Sequence, residues 1–148
     1  MTPLLPTFAL AVLLAAAGPA RGALDEARAE PNLERRSGLA MDNAMAALRE
    51  ARMAYNVGDL GRTSAKAKEI EESVDLAYAS LEKTGKDPRR SPRWFKHAEI
   101  RSNELLRSLA TFEHDMSFDD RAILEKTKER VQQVHDSLLA GLMGGKRK

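Results

Sequence analysis

Lys83-Thr84-Gly85-Lys86-Asp87-Pro88-Arg89-Arg90-Ser91-Pro92-Arg93-Trp94-Phe95-Lys96-His97 is the stretch that breaks an otherwise helical chain near its middle. Pro88 and Pro92 carry no N–H, and each biases the residue before it away from helix. Gly85 supplies the left-handed backbone that often ends a helix. One helix should therefore stop near Thr84 and the chain should turn over residues 84–91. Ser91 and Pro92 then read as an N-cap followed by proline at the first helical position. Trp94 and Phe95 fall in the first turn of the next helix, with Arg89, Arg90, Arg93 and Lys96 around them.

Charge separates this hinge from its flanks. Residues 83–97 carry net +5, whereas residues 24–82 are net −4 and residues 98–143 net −3. The whole chain is only +2, so its calculated pI near 9.0 does not describe a uniformly basic, nucleic-acid-type protein. It describes acidic rods joined by a basic hinge. With 31% charged residues, 5% aromatics and few β-branched side chains, the composition favours helix.

Upstream of the hinge, a helix is expected from Asn32 as N-cap through about Leu33–Val57. Its inward stripe is Leu33, Ser37, Ala40, Ala44, Ala47, Ala51 and Ala54, widened by Met41, Met45, Leu48 and Tyr55. Gly58 and Asp59 suit a helix end and a new N-cap, so a second helix should run from about Leu60 to Lys83. Its stripe is Thr63, Ala67, Ile70, Val74, Ala77 and Leu81. Residues 24–31 read as a polar lead-in ending at Pro31.

Downstream, a third helix is expected over about Pro92–Asp115, with Phe95, Ala98, Ser102, Leu105, Leu109, Phe112 and Met116 inward. Ser117 and Asp120 form a near capping box, with Asp in place of Glu. A fourth helix should run from about Phe118 to Leu142 on Ile123, Thr127, Val131, Val134, Leu138 and Leu142. Four helices of similar length with short connections predict an all-α fold. They read as an antiparallel four-helix bundle of two long helical hairpins over residues 24–143. Gly144 and Gly145 end it, leaving a basic tail, Lys146-Arg147-Lys148, expected to be disordered.

The first 23 residues read as a secretory signal peptide: an apolar run from Leu4 to Ala17, then small residues at Gly18, Ala20, Gly22 and Ala23. The run is short for a membrane span. The expected location is periplasmic or extracellular. With no cysteine in the chain, packing alone must hold the mature domain together.

No catalytic constellation is present in the sequence. The residues three before His97, His114 and His135 are Trp94, Thr111 and Gln132, so the Glu-x-x-His pairs of di-iron bundles are absent. No two histidines lie three or four apart, and there is no Gly-rich phosphate loop. No catalytic residue, metal ligand or cofactor is assigned on this reading. If the first and fourth helices were antiparallel neighbours, Met41 would lie level with His135, the ligand pair that b-type four-helix cytochromes use.

Two resemblances attach to particular residues. Ala54-Tyr55, followed by Gly58-Asp59-Leu60, resembles the turn of a tetratricopeptide-type repeat. It implies shared turn chemistry, and no second copy follows. The leader together with the Lys86–Phe95 stretch looks similar to small exported all-helical bacterial proteins of unassigned function, which implies no activity.

The functional expectation is an exported interaction or scaffold module that meets a protein partner or associates with itself. The alternative is an anion-binding protein that grips an acidic polymer, phospholipid headgroups or nucleic acid through the hinge. The charge distribution argues against nucleic acid. Candidate binding residues are Lys86, Arg89, Arg90, Arg93, Trp94 and Lys96. Within that set two placements compete. Trp94 and Phe95 plug the end of the core while the arginines lie across acidic side chains of the second or third helix, or Trp94 is exposed as part of a docking site.

Overall fold

The computed structural model describes residues 22–144, so the leader up to Arg21 and the tail beyond Gly144 lie outside the described residues. The described chain is all-helical: α1 (Ala23–Ala29), α2 (Leu33–Asn56), α3 (Leu60–Lys83), α4 (Arg93–Asp115) and α5 (Ala122–Met143), with a 3-10 turn at Phe118–Asp120. The hydrophobic stripes of α3 and α4 are buried at every expected position, from Thr63 to Leu81 and from Phe95 to Met116. In α2 the alanines of the expected stripe are buried, Met41 and Leu48 join them in the core, and Leu33 is only partly covered.

The helix ends follow their local chemistry. Asn32 and Asp59 each accept a hydrogen bond from the third residue on, Arg35 N at 2.9 Å and Arg62 N at 3.0 Å. Gly58 turns the chain with φ +78°, which allows Asp59 N to donate to Ala54 O at 2.9 Å.

Three local expectations are corrected. Residues 24–31 are not a plain lead-in: most of them form α1, whose Leu24 and Ala27 are buried. Burying those two side chains is what organises this short helix, and α1 lies mainly against α2. Arg28 adds an ion pair to Glu72 of α3 at 3.6 Å. Ser91 does not cap α4; Pro92 occupies the N-cap position, and its carbonyl accepts from Lys96 N at 2.7 Å.

The third correction concerns the turn before α5. Ser117 does not cap a helix there. Its hydroxyl donates to Asp120 Oδ2 at 2.7 Å, and its N–H donates to the Tyr55 phenol at 2.9 Å. The phenol in turn donates to Asp120 Oδ2 at 2.9 Å. This clamp holds a 3-10 turn, so α5 starts at Ala122 rather than near Phe118, and Leu124 instead of Ile123 is buried.

The long helices meet in a definite pattern. Along α2 and α3, contacts climb one helix as they descend the other, from Asn43–Ser73 to Glu50–Lys66. Along α4 and α5 they do the same, from Glu99–His135 to Glu113–Lys128. Between α2 and α4 both partners climb together: Gly38 meets Trp94, Asp42 pairs with Arg101, and Tyr55 meets Phe112. α3 and α5 also advance together, through Ala67–Thr127 and Asp75–Arg130. α2 therefore has α3 and α4 as its main neighbours, not α5. The juxtaposition of Met41 with His135 is not made; Met41 is core, and His135 Nε2 lies 3.0 Å from Glu99 of α4.

Candidate functional site

The hinge is held in place by its own backbone and by two glycines on neighbouring helices. Gly85 takes φ +66°. Asp87 then organises the turn: its carboxylate accepts from Arg89 N at 2.9 Å, and its carbonyl accepts from Ser91 N at 2.9 Å. Pro88 rests on α5 at Gly141, where a β-carbon would come within 3.3 Å of Pro88 Cγ. Trp94 rests on α2 at Gly38, where a β-carbon would come within 3.3 Å of the indole Cζ3. Each glycine is a notch in a helix surface that receives one hinge side chain.

Phe95 is buried in the core, whereas Trp94 is only partly covered. The two aromatics therefore split the roles assigned to them. Phe95 closes the core end. Trp94 lays one edge on Gly38, packs against the core and keeps a minor part of its surface in solvent. His97 meets the indole edge-on at 5.8 Å between ring centres, and the Arg93 guanidinium lies 5.4 Å from its centre.

The basic side chains do not lie across the acidic faces of α2 and α3 as a group. Only Lys86 reaches α2, pairing with Glu34. Arg90 is tied loosely to Asp87 within the hinge, at 3.9 Å. The Arg89 side chain lies over Gly144. Among the described residues no carboxylate lies within 4.0 Å of the charged groups of Arg89, Arg93 or Lys96. The reason is local: Asp87, the one acid of the hinge, is turned onto its own backbone, and the acids of α3 and α4 have partners on their own flanks.

The structure thus brings four of the six candidate residues to two shallow depressions beside Trp94, with Arg93, Trp94 and Lys96 on one of them. His97 and Ile100 complete that depression and were not assigned from sequence. Their signal was available: Ile100 lies off the core stripe of α4, and an isoleucine off the stripe of an amphipathic helix is exposed by construction. A second depression on the other side of Trp94 includes Lys86, Pro92 and Arg93. Arg89 and Arg90 line neither: Arg89 lies over the end of α5 at Gly144, and Arg90 turns to Asp87.

A separate polar cluster lies in the α2–α3 seam. Asn43, 5% exposed, donates to Ser73 Oγ at 2.9 Å and to Glu69 Oε1 at 3.2 Å. Lys66 Nζ lies 2.8 Å from Glu69 and 2.6 Å from Glu50. Burial alone would raise the Glu69 carboxyl, but the bonds from Lys66 and Asn43 outweigh it and hold the group below its ordinary value. The bonds to Glu50 and then Glu69 push the Lys66 ammonium up. Every charge here has a partner, so the arrangement is a clasp between helices.

Among the described residues no three His, Asp or Glu side chains gather so as to hold a metal ion, and no helix is long and apolar enough to cross a membrane. No protein-family model, curated protein or solved structure matches the chain significantly.

Proposed function

We propose that the protein is an exported helical interaction module whose docking surface is the hinge end, centred on Trp94. On this reading α2–α5 form one four-helix bundle of two antiparallel hairpins, and the bundle serves as a rigid frame for that surface. The observation that carries it is the partly covered indole flanked by Arg93 and Lys96, neither of which has a carboxylate within 4.0 Å among the described residues. A purely structural tryptophan would be enclosed, and structural arginines would be paired. A partly covered tryptophan beside an arginine is a combination enriched at the centres of protein interfaces. The apolar leader supports export, and the regular stripes without catalytic groups support a binding role.

Site-specific photo-crosslinking in the native cell tests the reading. A photoreactive residue at Lys96 or Arg90 should trap protein partners, and Trp94→Ala should abolish the adducts. The same probe at Arg107, on the exposed side of α4, should trap none. Absence of hinge adducts would overturn the proposal.

Arg89, Arg93 and Lys96, without a carboxylate partner among the described residues, also favour a second reading, in which the hinge holds an acidic polymer or phospholipid headgroups. Polyphosphate or anionic vesicles would then shift Trp94 emission in a manner that salt reverses.

A further inference from the structure

A hinge end that docks protein, the reading on which this inference rests, selects its partner by charge and by shape. Three segments of the chain meet at this end. Lys86 pairs with Glu34 at the start of α2, Trp94 rests on Gly38, and Pro88 rests on Gly141. A β-carbon at Gly144 would come within 3.1 Å of Arg89 Nη1. Residues 30–36, 82–98 and 135–148 together hold eleven Lys or Arg against five acids. Four of those acids are already engaged: Glu34 by Lys86, Asp87 by the Arg89 N–H, Asp136 by Gln132 and Glu30 by the Asn32 N–H. Arg89, Arg93 and Lys96 therefore keep their charge for an outside group.

Lys146-Arg147-Lys148 belongs to this end by chain length alone. Gly144 lies against Arg89, and each trans peptide advances the α-carbon by about 3.8 Å. Lys146 is thus held within about 8 Å of Gly144, and Lys148 within about 15 Å. Shape narrows the choice of partner. The depression beside Trp94 is lined by the indole, the His97 ring and Ile100, 45% exposed, together with Arg93 and Lys96. A hollow of that kind takes an apolar side chain flanked by anions. A phosphate polymer has no apolar group to fill it, and a flat bilayer surface does not enter it. A protein segment that carries both kinds of side chain does.

We propose that the hinge end takes an extended acidic segment of a partner protein. An apolar side chain of that segment sits against Trp94 and Ile100, with carboxylates on Arg93 and Lys96. Further carboxylates along it are held by Lys146-Arg147-Lys148, which is a second arm of the same docking surface. Opposite charge steers the encounter, and the apolar seat fixes the register.

Emission from Trp94, the chain's one tryptophan, reads the binding directly. The probe is a synthetic peptide of about eight residues, glutamates around a central Leu-Phe pair, long enough to run from the depression toward residue 148. Its companions are the same peptide with serines replacing Leu-Phe, polyphosphate of matched charge, and phosphatidylglycerol vesicles. The Leu-Phe peptide should shift the emission saturably to shorter wavelength, and salt should weaken it. The serine peptide, polyphosphate and vesicles should each bind several-fold more weakly. Arg93→Gln with Lys96→Gln should abolish the shift. Ile100→Ser should weaken the Leu-Phe peptide and leave the serine peptide unchanged. Lys146→Gln, Arg147→Gln and Lys148→Gln together should weaken binding several-fold. Arg49→Gln, Arg107→Gln and Lys126→Gln, exposed and roughly 20 Å or more along their helices from the hinge end, remove the same charge and should have no effect. Far-ultraviolet circular dichroism checks that every variant folds. Absence of a saturable response to the Leu-Phe peptide, equal binding of polyphosphate or vesicles, or a 146–148 variant no weaker than its charge-matched control would each overturn the proposal. With hinge photo-crosslinks to proteins intact, any of these would leave the docking surface standing and remove only the acidic segment as its occupant. Absence of any hinge adduct would remove both.

Discussion

Leu109 and Arg107 are two residues apart on α4 and face opposite worlds: Leu109 is fully buried and Arg107 exposed. Leu109→Ala removes contacts from a packed interior and should destabilise the protein by about 2–4 kcal/mol. Arg107→Ala should cost less than about 0.5 kcal/mol. Urea melts of the two variants measure the difference, and equal midpoints would contradict the burial assigned to α4. At this scale the sequence was highly legible, because a helical period reports which side of each helix is covered. The failures have particular causes. Ile123 and Leu124 are adjacent, and only the Tyr55 clamp, a contact between residues far apart in sequence, decides which faces inward. Leu24 and Ala27 form one helical turn's worth of apolar pattern, too little to stand out among Asp25, Glu26, Arg28 and Glu30.

The α2–α3 pair carries its own pH dependence. Glu69 ionises more readily in the folded protein than in the unfolded chain. Its contribution to stability is therefore complete above the unfolded value, about 4.3, and is lost as pH falls through the lower folded value. Glu69→Gln should lower the urea midpoint at neutral pH, and the gap from wild type should narrow as pH falls below about 4. A gap that stays constant with pH would show that the charge of Glu69 contributes nothing. Lys66 acts at the other extreme: its raised value stabilises the fold below the unfolded value and loses that contribution as strongly alkaline pH is reached. The seam could not be read from sequence. Glu69-Ile70-Glu71-Glu72 looks like a solvated acidic face, and only the neighbour supplied by α2 turns Glu69 inward to Asn43.

For the whole molecule, stripes say which surface of each helix is covered but not by which neighbour. That is why the placement of α2 beside α4 was not legible from the pattern of any one helix. The hinge was legible as a boundary and as a basic segment, but the seats for Pro88 and Trp94 were not. Their only trace in the sequence is a pair of glycines inside helices, Gly141 and Gly38. Those notches bear on the order of events in time. α2 and α3 lie next to each other in sequence, as do α4 and α5, so each pair closes a short loop, whereas Trp94 must find Gly38 across more than fifty residues. Contacts of that range tend to form late. A side chain at Gly38 should therefore act after the rate-limiting step of folding: Gly38→Leu should speed unfolding several-fold while leaving the refolding rate nearly unchanged. Stopped-flow traces followed through Trp94, the chain's one tryptophan, report both arms of the chevron. A slowed refolding arm would instead place the indole's seat in the folding nucleus. On the expected outcome, the two glycine seats govern how long the assembled molecule lasts rather than how quickly it is made.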